Sequence, residues 1–186
     1  MSAGILCLMT RTLIVFFTML SSFAGFAAVA PAITTQPQSQ IVLAGSNVTF
    51  SVAASGTAPL SFQWQKGSSS LPGGTGSTLK LSKVQASAAG NYRVIVRNSA
   101  GSATSVVASL TVNVPPAITV APKGQTVVAG TNVLLSVTAT GTDPLVVQWF
   151  KDGVDLAGAT KTNLAFTNVQ PAHAGIYLVR VTNSFG

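Results

Sequence analysis

Residues 31–101 lie on residues 116–186 at a constant offset of 85 positions, without a gap and with 35 of 71 pairs identical. A duplication of that length means that one structural unit occurs twice, and that any reading of one copy must hold for the other. Matched positions include Pro31 with Pro116, Gly45 with Gly130, Pro59 with Pro144, Trp64 with Trp149, and Tyr92 with Tyr177. Between the copies, Val114, Pro115 and Pro116 leave no flexible spacer, because consecutive prolines hold the backbone extended and stiff.

Within a copy the apolar period is two. Val48, Phe50, Val52 and Ala54 alternate with smaller or polar residues, as do Leu60, Phe62 and Trp64, and again Tyr92, Val94 and Val96. That alternation marks half-buried strands, and Gly- and Pro-rich turns separate them. About seven short strands per copy make an antiparallel sandwich, so the fold class is all-β, with two tandem Greek-key sandwiches. Only residues 83–89 and 168–174 read as single helical turns.

The chain is 47% hydrophobic but only 7% charged, and its first thirty residues distort that balance. Residues 1–30 hold 21 hydrophobic residues and one charge, Arg11, before the apolar run 13–20 and a small-residue stretch that ends in Ala27, Ala28, Val29 and Ala30. This is the pattern of a secretory signal peptide. Cleavage after Ala27 and after Ala30 both fit it, and translation from Met1 and from Met9 both fit the basic start. Cys7, the single cysteine, precedes the apolar run and is misplaced for a lipid anchor. Export places the remainder of the chain outside the cytoplasm, secreted or at the cell surface, with a membrane contact only through the leader or a domain outside this chain.

The spacing of large residues resembles that of the immunoglobulin fold, specifically intermediate-set domains strung along exported bacterial proteins. Trp64 and Trp149 each follow by twelve residues a strand position that usually holds cysteine, here Val52 and Val137. Tyr92 and Tyr177 stand at the tyrosine corner, two residues before the usual second cysteine position, here Val94 and Val179. The resemblance implies domains at 31–114 and 115–186, with four of these eight residues as core markers in each. It also implies two departures: the inter-sheet disulfide is replaced by valines in both copies, and the usual turn aspartate is Ala88 in one and His173 in the other. Residues 102–114 alternate as a last strand with no counterpart after Gly186, so the second domain is expected to lack that strand and the chain to be a fragment.

Chemistry is scarce. With one histidine and three acidic residues, the chain offers no catalytic, cofactor-binding or metal constellation. Asp152 and Asp155 read as a polar hairpin turn rather than a calcium site, Gly73, Gly74 and Gly76 as a flexible loop rather than a phosphate cradle, and Asn47 begins the one glycosylation sequon. Charge is unevenly divided: the first copy carries Lys66, Lys80, Lys83, Arg93 and Arg97 without an acid. Of these, Lys66, Arg93 and Arg97 compose a candidate cationic face. The expectation is a non-enzymatic spacer or adhesion module whose partner is a protein or glycan at a cell surface, not nucleic acid. The competing expectation is an accessory module, with carbohydrate binding one option for it, of a secreted hydrolase with its catalytic domain beyond Gly186.

Overall fold

A computed structural model describes residues 27–186. The leader's charged start and apolar run, the choice between Met1 and Met9, and Cys7 lie outside the described residues. The first sandwich comprises β1 Ala32–Thr35, β2 Gln40–Leu43, β3 Val48–Ser51, β4 Ala53–Ser55, β5 Ser61–Lys66, β6 Ser69–Ser70, β7 Thr78–Leu81, β8 Gly90–Asn98, β9 Gly101–Thr104 and β10 Ala108–Asn113. The second comprises β11 Ala117–Val120, β12 Val133–Ser136, β13 Thr138–Thr140, β14 Val146–Lys151, β15 Val154–Asp155, β16 Asn163–Phe166 and β17 Tyr177–Thr182. Single 3-10 turns at Ala86–Ala88 and Pro171–His173 fall inside the two predicted helical turns.

One layer of the first sandwich pairs β1 with β4 and β3 with β7; the other has the order β2-β10-β8-β5-β6, with β9 also on β8. All pairings are antiparallel except β10 on β2, which is parallel; the chain changes layer between β1 and β2. The sequence implies fewer, longer strands than this. The difference is local: the Val52 N–H donates to the Ser77 carbonyl at 2.9 Å, so the predicted strand over 48–54 divides into β3, paired with β7, and β4, paired with β1.

The period-two faces meet in one core per sandwich. Val48, Phe50, Val52, Trp64, Tyr92, Val94 and Val96 are buried with Ala108, Leu110 and Val112 of β10. Phe50 stacks on Tyr92 at 5.1 Å between ring centroids and lies 6.1 Å from Trp64. Each fully buried large apolar side chain stabilises by about 1.5–3 kcal/mol, so this cluster is the main reason the first sandwich holds without a disulfide. In the second sandwich Leu135, Val137, Val147, Trp149 and Val179 are buried, with Phe166 and Tyr177 packed against them. Among the described residues β17 pairs with β14 only.

Candidate interaction surfaces

Both tryptophans are inaccessible, and each indole N–H is satisfied. Trp64 Nε1 donates to the Gly76 carbonyl and Trp149 Nε1 to the Lys161 carbonyl, both at 2.9 Å. This ties down the loop that the sequence reads as flexible. Gly74 and Gly76 present carbonyls to Trp64, while the Gly74 and Thr75 amides donate to Leu71 and Gly73, so those N–H groups do not turn outward toward an anion. Val52, Val94, Val137 and Val179 are buried; Tyr92 is buried and Tyr177 half-buried.

Each tyrosine hydroxyl donates back to its 3-10 turn, Tyr92 to the Ala88 carbonyl at 2.6 Å and Tyr177 to the His173 carbonyl at 2.7 Å. Burial pushes the Tyr92 hydroxyl above its ordinary value of 10.0. The folded state therefore holds this proton more tightly than the unfolded chain does. The resulting stability is fully present below about pH 10 and is lost as pH rises through the folded value. Tyr92→Phe is expected to cost about 1 kcal/mol at neutral pH and to flatten the alkaline loss relative to the parent chain, measured by urea unfolding at pH 7 and at pH 10.5.

The predicted cationic face loses one member. In the register of β5 against β8, Gln65 opposes Arg93 and Ser61 opposes Arg97, whereas Lys66 opposes Tyr92. Paired residues share a face, so Arg93 and Arg97 point outward while Lys66 takes the inner parity of Trp64 and Tyr92. At the rim of the sandwich its ammonium donates to the Ser87 carbonyl. Lys151 repeats this bond to Ala172 at 3.0 Å. Lys66 is thus a tie between β5 and the 3-10 turn, and the outer face keeps Arg93, which donates to Gln65 at 2.9 Å, and Arg97.

The equivalent face of the second sandwich has changed character. Offset by 85, Ser61 becomes Val146, Gln65 becomes Phe150, Asn91 becomes Ile176 and Arg93 becomes Leu178. Val146, Ile176 and Leu178 are exposed. Phe150 is half-covered, with the Arg180 guanidinium 5.1 Å above its ring, a cation–π contact. Alternation alone predicted which side these residues face, but the polar-to-apolar exchange is visible only when the repeats are compared on a single face.

The remaining polar candidates serve local structure. His173 accepts the Gln170 N–H on Nδ1 at 2.9 Å and packs its ring on Phe166 at 5.6 Å. Asp152 accepts the Ile176 N–H at 2.8 Å and lies 3.4 Å from Lys151. That amide first, with Lys151 adding to it, holds its carboxyl below the ordinary range. Asn47 Oδ1 accepts the Lys83 N–H at 3.0 Å. Among the described residues no group of three or more His, Cys, Asp or Glu side chains comes together.

A pair of sockets went unread in the sequence. At the pole where the chain leaves β10 for the second sandwich, the Val114 N–H donates to Thr142 Oγ1 at 2.7 Å, and the Val114 carbonyl accepts from the Thr142 N–H and from Asn183 Nδ2, both at 2.9 Å. The first sandwich repeats this at Val29: its N–H donates to Thr57 Oγ1 at 2.8 Å, and its carbonyl accepts from the Thr57 N–H at 3.0 Å and Asn98 Nδ2 at 2.7 Å. Beside each socket sits a glycine. A Cβ on Gly141 would lie 3.1 Å from Pro116 Cα, and one on Gly56, at φ +138°, would lie 3.0 Å from Pro31 Cα. The available signal was the identity of Gly-Thr and Asn-Ser at both places in the repeat.

The family profile described as "Immunoglobulin domain" matches residues 30–98 and 115–183. The chain is 30% identical over 185 residues to human "Leucine-rich repeats and immunoglobulin-like domains protein 3", with 84% of this chain and 16% of that protein covered. It is 33% identical over 170 residues to human "Peroxidasin homolog", covering 84% and 11%. The chain thus spans less than a fifth of either relative. Among solved structures, the N-terminal four Ig domains of Dscam1 isoform 6.9 superimpose with a TM-score of 0.66 at 24% identity, over 84% of this chain and 43% of that one.

Proposed function

The chain belongs to the immunoglobulin domain family, and from that premise we propose that it is an exported, non-enzymatic pair of domains that serves as a stiff spacer and interaction module at a bacterial surface. The observation that carries this reading is the grip on Val114. β10 of the first sandwich ends at Asn113, and the next residue is already held on the second sandwich by three hydrogen bonds. Two prolines follow, each with its φ fixed by its ring. No free residue remains at which the domains could swivel, so a load or a bound partner at one end is held at a set distance from the other. A nine-residue strand such as β8 reaches about 30 Å at about 3.3 Å per residue, which sets the scale of one domain's contribution.

Export is supported by the leader pattern, and a bacterial source by the absence of the disulfide positions. Contact with a protein rather than a glycan is favoured by the outer face of β14 and β17, whose exposed side chains are aliphatic at Val146, Ile176 and Leu178. Its single aromatic, Phe150, is half-covered and has the Arg180 guanidinium over one ring face, where a sugar would otherwise stack. The accessory-module reading therefore ranks second. Spin labels placed on exposed positions of the two domains test the spacer. The parent chain is expected to give one narrow distance distribution, and Thr142→Val combined with Asn183→Ala to broaden it at least twofold while both domains stay folded. A parent distribution as broad as the variant's would remove the stiffness on which the proposal depends.

A further inference from the structure

The socket around Val29 bears on where the leader is removed. Residues 28–30 belong to the leader by their sequence but to the first sandwich by their bonds. Thr57 and Asn98 hold both the N–H and the carbonyl of Val29, whereas its side chain stays exposed. The grip is on the backbone, and it is the same grip that Thr142 and Asn183 place on Val114, a residue internal to the chain. Ala30 continues the contact: its carbonyl lies 3.2 Å from a Cβ built on Gly56, and its own Cβ lies 3.5 Å from one built on Gly101. Pro31 is buried.

Resting on the export reading above, we infer that a signal peptidase cuts the chain between Ala27 and Ala28. Water is consumed at that amide, leaving a carboxylate on Ala27 and an ammonium on Ala28, one residue before the socket begins. The small residues the enzyme requires are Ala27 itself and Gly25 two positions before it. The competing cut, after Ala30, satisfies the same small-residue pattern but fails on the folded product. It removes Val29 and with it three hydrogen bonds, leaving Thr57 and Asn98 without their main partner. It also moves the chain terminus to Pro31, a residue that is buried while Val29 and Ala30 precede it. The bond to be cut there is moreover an Ala–Pro amide, whose ring removes the N–H and restricts the preceding residue to extended conformations.

The full 186-residue chain expressed in a secreting bacterial host, followed by intact-mass measurement and N-terminal sequencing of the exported product, distinguishes the cases. A product that begins at Ala28 supports the inference. One that is exported and begins at Pro31 overturns it and leaves the export reading intact, whereas a chain retained uncut in the cytoplasm overturns both. A second measurement reads the physical reason directly. Chains comprising 28–186 and 31–186, made without the leader, are compared by thermal unfolding. The first-domain transition of the shorter chain is expected to fall by roughly 5–10 °C, and Thr57→Val in the longer chain to reproduce part of that shift. Coincident melting of the two chains would show that the socket adds nothing and would remove the ground for choosing Ala27.

Discussion

Cysteines at positions 52 and 94, introduced together as Val52→Cys and Val94→Cys, are expected to raise the melting temperature of the first sandwich by on the order of 15 °C when oxidised. Val52 lies between β3 and β4 in one layer, and Val94 stands at the middle of β8 in the other; both side chains are buried in one core. These are the two positions that the immunoglobulin pattern bridges between sheets. On the chain-entropy model, a bridge closing a loop of residues 52–94 contributes roughly 4 kcal/mol. One kcal/mol shifts the melting of a domain this size by about 4–8 °C. Replacing two buried valines removes methyl groups, so the reduced form is expected to be less stable than the parent by about 1–3 kcal/mol. Far-UV circular dichroism of the oxidised and reduced forms separates the two effects. Equal melting of both forms, with the bond verified by mass, would mean that the valine core already restrains the chain as a disulfide does.

Legibility in the sequence followed which interactions repeat with a period. Strand faces, the inward Trp64 and Tyr92 and the pairing of the two copies came from alternation and spacing, because burial acts on every second side chain and leaves a mark on each. Lys66 shows the limit of that logic. A charged residue at the end of a strand on the same sheet reads as part of the cationic face, whereas the pleat puts it inward and the rim lets its ammonium reach a carbonyl. The long stem buries methylenes while the charge finds a polar partner. The division at Val52 was invisible for a different reason: it depends on where one N–H goes, and the Ser77 carbonyl that receives it is 25 positions away.

The sockets at Val29 and Val114 were illegible for a third reason. Their acceptors are backbone atoms, so no side-chain type at 29 or 114 announces them, and their donors, Thr and Asn in turns, are common there for local reasons. Repetition was the only available clue, and its meaning required knowing that both turns reach the same pole. The apolar exchange on the β14–β17 face has a similar status. Each substitution is unremarkable in sequence, and only the sheet register shows that Val146, Phe150, Ile176 and Leu178 share a side.

Trp64→Ala is expected to cost the first sandwich about 3–5 kcal/mol, a large share of the roughly 5–15 kcal/mol that holds an ordinary domain. The ring is fully buried, lies 6.1 Å from Phe50 and supplies the donor for Gly76. Its removal opens a cavity and strands a carbonyl in the same step. Trp64→Phe keeps most of the apolar volume and is expected to cost less, about 1–3 kcal/mol, through the unpaired carbonyl. The chain has two tryptophans, one per sandwich, so Trp64→Ala leaves Trp149 as the fluorescent reporter of the second domain alone. Urea unfolding followed by fluorescence is then expected to keep the second-domain midpoint within about 0.5 kcal/mol of the parent, as distant independent sites do, while circular dichroism shows the first domain unfolding early. The domains share one gripped residue, Val114, and the socket atoms that hold it all lie on the second sandwich or on Val114 itself. Loss of the first core therefore leaves that grip in place. If the Trp149 transition instead moved down together with the first domain, the two sandwiches would be a single cooperative unit, and the grip on Val114 would transmit stability as well as position.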